Sequence, residues 1–231
     1  MRSARNRFKQ VFRSAGAAAI LAVILACMMS SQAGAESALE RLSTAWSNVH
    51  DYTVTIDAHE VLGSRSQDRE LHYAFRAPMQ ARLDLMSGEK SVATIVWSGD
   101  DNVVAYRPGL SFLKIHGHAR DRRLTSLRGN GVLTPDLGHI IACFAQHKDA
   151  IDQRRGPAVD GEPTDEIALV GTHSPCPDDP PADQGVTLDA IDVSRRGVIV
   201  MRKRYEGAQL VEAWSLKDYR INAGLDDSIF K

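Results

Sequence analysis

Cys143 and His147 stand four residues apart and His173 and Cys176 form a His-x-x-Cys pair, so the chain contains a formal Cys2His2 set that would suit a metal such as zinc. The same two sulfurs have a simpler chemistry. In an oxidising compartment two cysteines pair, and a Cys143–Cys176 disulfide would close a loop of 33 residues and stabilise the fold by about 3–4 kcal/mol. His116 and His118 flank Gly117 at an expected strand end, so they point to one side. With no third ligand near them in sequence, they read as two exposed histidines rather than a metal or proton site.

Hydrolytic and phosphate chemistries find little support. No Gly-x-Ser-x-Gly elbow or His-Glu-x-x-His helix occurs, and Asp100-Asp101 and Asp226-Asp227 read as solvated turn residues. Leu127-Arg128-Gly129-Asn130-Gly131 lacks the Gly-x-x-x-x-Gly-Lys spacing that cradles phosphate. Neither catalytic residues nor a cofactor are expected. What the chain does offer is apolar strand surface for a ligand cavity, with Tyr73, Phe75, Leu83, Leu85, Val96 or Trp97, and Trp214 as the bulky candidates for its wall. The competing reading of each is ordinary core.

The compartment is written in the first 35 residues. Arg2, Arg5, Arg7, Lys9 and Arg13 form a basic leader, an apolar run covers Ala15 to Met29, and Ala33-Gly34-Ala35 supplies small residues for cleavage. That order describes an export signal, and predicts a periplasmic chain starting at Glu36. Leu25-Ala26-Cys27 keeps open an alternative, a lipoprotein anchored through Cys27. The full chain carries a net charge of −1; with those five basic residues set aside, 23 basic residues face 29 acidic ones, a net of −6. That balance offers no nucleic-acid footprint. Arg195-Arg196 and Arg202-Lys203-Arg204 read as the solvated side of a strand and its turn.

The elements that would position these groups follow from periodicity. Ser37 and Glu40 make a capping box for a helix carrying Leu39, Leu42, Trp46 and Val49 on one face. From Asp51 the period is two, and strands are expected to continue through Glu70–Arg76, Met79–Met86, Ser91–Ser98, Asn102–Arg107 and Ser111–His116. The tight breaks between them make an antiparallel meander. The stretch Ser91–Trp97 is apolar on both faces and should be covered on both. Thr134-Pro135-Asp136 opens a second helix with Leu137, Ile140, Ile141, Phe144 and Ala145 as its apolar stripe. Segments 152–163 and 172–185 read as polar surface loops, and strands resume at Thr164–Gly171, Val186–Val193, Val198–Arg204 and Gln209–Tyr219. About ten amphipathic strands with two helices to cover them predict an incomplete barrel. Residues 36–231 should form one domain behind a signal peptide at 1–35.

In this order of elements the chain resembles the superfamily of LolA/LolB-like outer-membrane lipoprotein-sorting proteins, whose half-barrel also forms the amino-terminal domain of the regulator RseB. The resemblance is carried by the helix Ala38 to Val49, by Asp51-Tyr52-Thr53, and by Phe75-Arg76-Ala77-Pro78 leading into Arg82-Leu83-Asp84-Leu85. It closes on Trp214-Ser215-Leu216-Lys217-Asp218-Tyr219-Arg220-Ile221-Asn222 and the terminal Phe230. It implies an α+β fold: a curved antiparallel half-barrel wrapped around a few helices, with a hydrophobic cavity for acyl chains or another lipid-like ligand. The implied function is a non-enzymatic periplasmic carrier, with peripheral membrane contact open to it. The alternative is an RseB-like envelope sensor that binds a protein partner. Cys143, Cys176, the acidic proline-rich loop and the long segment Arg120 to Ala150 depart from the sorting carriers' pattern.

Overall fold

A computed structural model describes residues 36–87, 92–99, 102–171 and 185–231. Helix α1 (Ala38–Trp46) leads into β1 (Asp51–Leu62), β2 (Arg65–Arg76), β3 (Gln80–Ser87), β4 (Ala93–Trp97), β5 (Val103–Tyr106) and β6 (Ile115–Gly117). Helix α2 (Leu137–Gln146) follows a long loop, and β7 (Ile151–Arg155), β8 (Thr164–Val170), β9 (Leu188–Ser194), β10 (Ile199–Glu206) and β11 (Gln209–Ile221) complete the sheet. Its spatial order is β6-β5-β4-β3-β2-β1-β11-β10-β9-β8-β7, antiparallel throughout. Two meanders are thus joined where the first strand pairs with the last. The eleven strands stand against the ten or so expected from sequence.

Geometry requires this sheet to curl. Eleven strands about 4.8 Å apart would spread flat over roughly 48 Å, whereas helices of nine and ten residues are only about 15 Å long. Yet one continuous core unites Val103 on β5, Ile56 on β1 and Ile167 on β8 with Leu42 of α1 and Phe144 of α2. The inner face is therefore concave around both helices, a half-barrel.

Strand alternation assigns the faces. Tyr52, Val54, Ile56 and Ala58 of β1 stand opposite Phe75, Tyr73, Leu71 and Arg69 of β2; Leu71 and Tyr73 in turn meet Leu85 and Leu83 of β3, which meet Ala93 and Ile95 of β4. All of these face inward. Helix α1 buries Ala38, Leu42 and Trp46, and Trp46 meets Tyr52 edge to face at 5.0 Å. Helix α2 is pinned by the Tyr52 hydroxyl, which accepts from Leu137 N at 2.9 Å. Its cap is Asp136, whose carboxylate accepts from Gly138 N and His139 N, so the helix starts two residues later than Thr134-Pro135-Asp136 suggested. Thr134 instead accepts from Gly131 N.

The outer face is covered in one place by the carboxy terminus. A 3-10 turn (Asp227–Phe230) lays Phe230 against Ala74 and Val96, and the Arg76 guanidinium stacks 5.1 Å from the Phe230 ring. This explains why β4 reads as apolar on both faces. Asn222, in a left-handed conformation (φ 53°), accepts from His50 N and donates to Asn48 O, tying the end of β11 to the entry of β1.

Several expectations need correction, among them the strand expected over Ser111–His116, which pairs only over Ile115–Gly117. Segment 152–163 is not all loop, because Ile151–Arg155 pairs with β8 as an edge strand. Only Ile151 is even half-buried there, so the strand shows no apolar alternation, and exposed charge suits an edge. Strand β2 begins at Arg65, five residues before the apolar pattern does. And Arg202 and Arg204 do not face solvent: both are at most 2% exposed on the inner face, while Lys203 between them turns outward to Glu166 and Asp192.

Candidate functional site

Two features share the concave face. The first is a buried ionic cluster. Glu60, Gln67, Arg69, Arg202, Arg204 and Glu212 continue the inward parity of β1, β2, β10 and β11, and Asp189 joins them from β9. From the loop between β6 and α2, Arg128 and Asn130 plug into the same space. Glu60, wholly buried, accepts from the Arg69 guanidinium, from Arg128 N (3.1 Å) and from the Asn130 amide (2.9 Å). The same amide donates to Glu212 at 3.0 Å. Arg128 donates to Val61 O (2.8 Å) and to Glu206 (2.6 Å).

Deeper in the second meander, Arg202 grips Asp189 with two hydrogen bonds of 3.0 and 2.6 Å and lies 5.2 Å from the Trp214 ring. Burial pushes the Asp189 carboxyl up, but Arg202 and Arg204 beside it outweigh burial and hold it below the usual carboxylate range. Four guanidinium groups thus face four carboxylates, and the cluster is balanced. It seals the loop against the sheet.

The second feature is a cavity of about 590 Å³ beside that cluster, within the range of roughly 300–1,000 Å³ usual for small-molecule sites. Leu83, Leu85, Ala93, Ile95 and Ala105 from β3, β4 and β5 form its floor, Leu124 comes from the plug loop, and Gln67, Arg69 and Asn130 close its inner end. It opens through the β5–β6 loop. Leu110, Leu113 and Ile115 line it yet are 41%, 60% and 47% exposed, so the wall continues into solvent there.

The wall candidates named from sequence separate into three groups. Leu83 and Leu85 line the cavity. Tyr73, Phe75, Trp97 and Trp214 share the inner face but pack in the core away from it, with Tyr52 ring contacts to Tyr73 (6.0 Å) and Phe75 (5.6 Å). Val96 is on the wrong face. Its register partners Arg82 and Val104 point outward with it, and Val96 itself packs with Phe230, because the alternation of β4 sends Ile95 and Trp97 inward.

Cys143 is buried on α2, and its carbonyl accepts from His147 at the helix end. Cys176 and His173 lie outside the described residues, as does the leader at 1–35. His116 is exposed on the edge strand β6, and among the described residues no group of three or more His, Cys, Asp or Glu side chains is placed to hold a metal. No helix among them is long and apolar enough to cross a membrane.

Residue type alone places charged side chains outward, which hides the ionic cluster in the sequence. Parity was the available signal: Glu60 is two residues beyond Ala58, Arg69 two before Leu71, and both stay on the buried side.

No family model and no curated protein matches the chain. Solved structures do. The lipoprotein LppX of Mycobacterium tuberculosis is 14% identical at a TM-score of 0.46, covering 82% of this chain and 95% of that one. A LolA superfamily protein of Nitrosomonas europaea is 12% identical at 0.39, covering 84% and 96%. MucB, in the MucA/MucB complex of Pseudomonas aeruginosa, is 15% identical at 0.44, covering 84% of this chain but 59% of its own.

Proposed function

We propose that this chain is a non-enzymatic carrier or binding protein of the bacterial envelope, which holds the apolar part of a lipid-like ligand in the cavity over β3, β4 and β5. The observation that carries the reading is the cavity itself: an apolar floor of Leu83, Leu85, Ile95 and Ala105 on a concave sheet, open at one loop. Burial of ten methylenes there at about 0.8 kcal/mol each would yield a gross gain of roughly 8 kcal/mol. Ordering costs take back several. In this reading residues 1–35 are a cleaved export signal, residues 36–231 are the working domain, and the Cys143–Cys176 disulfide pins the proline-rich loop to α2.

Leu85→Glu tests it. Leu85 is 7% exposed on the wall of a cavity that opens to solvent, so a carboxylate introduced there faces open space rather than packed core. The variant should keep its far-ultraviolet circular dichroism and lose uptake of a fluorescent fatty acid. An unfolded variant would mean solid core, and unchanged uptake would place the ligand elsewhere.

A further inference from the structure

The charge on the cavity wall is one-sided. Residues 36–231 are net acidic by six, yet among the described residues the wall holds Arg69, Arg107, Lys114 and Arg123 and no carboxylate. Two of the four are already neutralised, Arg69 by buried Glu60 and Arg123 by Asp121 at 2.6 Å. Arg123 also holds the Asp121 carboxyl down to about 2 through its hydrogen bonds, so both partners stay charged at any physiological pH. Arg107 and Lys114 have no carboxylate partner among the described residues. Both are exposed and lie at the two ends of the β5–β6 loop, where the apolar wall reaches solvent.

From this we infer that the cavity selects anionic amphiphiles, with the chain inside and the acid group outside on Arg107 and Lys114. The inference rests on the carrier reading and narrows it to a substrate class. An apolar cavity alone does not discriminate between heads, because burial depends on area. Two unpaired cations at its opening do, since an ionised head gains charge-assisted hydrogen bonds that a hydroxyl head cannot match. A cationic head would be repelled. Placing the head outside also spares the balanced ionic cluster at the inner end, where a further negative charge would have no free cation to meet.

Displacement of a fluorescent polarity probe by dodecanoate, dodecyl phosphate and dodecanol tests this, because the three share a chain and differ in head. Both anions should bind the wild-type protein about tenfold more tightly than the alcohol, equivalent to about 1.4 kcal/mol. Their advantage should shrink in high salt, since the rim is solvated. In the doubly substituted Arg107→Gln, Lys114→Gln protein the ratio of anion to alcohol affinity should fall below about threefold. Equal binding of acid and alcohol by the wild type would overturn the inference and leave the carrier reading standing. So would discrimination that survives the double substitution. Preference for only one of the two anions would support it and assign the head as carboxylate or phosphate. If none of the three displaces the probe, the carrier reading fails and this one falls with it.

Discussion

Replacing Glu60 by alanine would strip one buried cation of its counter-charge and two buried donors of their acceptor. Glu60 is fully buried and is bonded by Arg69, Arg128 N and the Asn130 amide, so it joins β1, β2 and the plug loop at one point. Breaking a buried ion pair on one side costs about 3–5 kcal/mol, a large part of the roughly 5–15 kcal/mol that holds a domain folded. Orphaned donors push the cost toward the upper end. With a urea dependence of about 2 kcal/mol per molar, the unfolding midpoint should fall by roughly 1.5–2.5 M. Arg69→Met added to Glu60→Ala should recover part of that loss, because it removes the stranded charge. The surface pair Lys217–Asp57, at 2.6 Å with both side chains nearly half exposed, is the internal control, and Lys217→Ala should leave the midpoint unmoved. A Glu60→Ala loss below about 1 kcal/mol would refute the reasoning, and would mean that Arg69 draws water from the adjoining cavity.

Gly197 has φ +74° and lies against α1, where an added Cβ would sit 2.7 Å from Ala45 Cβ and 2.9 Å from Arg41 O; Gly197→Ala should cost about 1–3 kcal/mol in thermal or chemical unfolding. Asp136→Ala removes the cap of α2 and should cost about 1 kcal/mol, a loss that Asp136→Ser largely avoids. Non-reducing peptide mapping of exported protein should recover Cys143 and Cys176 in one linked fragment; two free thiols, or zinc that protects both, would contradict the disulfide. Intact mass of the same material should match a chain beginning at Glu36, and an acylated species beginning at Cys27 would replace the cleaved signal with a lipoprotein anchor.

Alternation was legible wherever the buried face is apolar. Tyr52 to Ala58, Leu83 and Leu85, and Trp214 and Leu216 announce their strands and their inward sides, and tight turns such as Arg195-Arg196-Gly197 order them into meanders. A helix with Leu42 and Trp46 on one side needs only its own spacing to be found. The pairing of β1 with β11, by contrast, joins residues some 160 apart, as in Thr55 with Lys217, and no local pattern encodes it.

The inner charges belong to the same class. Arg202 looks like a surface arginine until Asp189 from a neighbouring strand is placed beside it, and Glu60 carries no apolar signal of burial until Arg69, Arg128 and Asn130 converge on it. Type predicts exposure because an isolated charge is costly to bury; tertiary structure reverses the outcome by supplying the counter-charge. The choice between Val96 and Trp97 needed the register, since a continuous apolar run has no parity to read. The cavity needed most of all the loop between β6 and α2, which fills one end of the concave face with Arg128 and Asn130 and leaves the other open. Which strand positions become core and which become cavity wall is set by where that loop comes to rest, a long-range packing result to which residue spacing along the chain is blind.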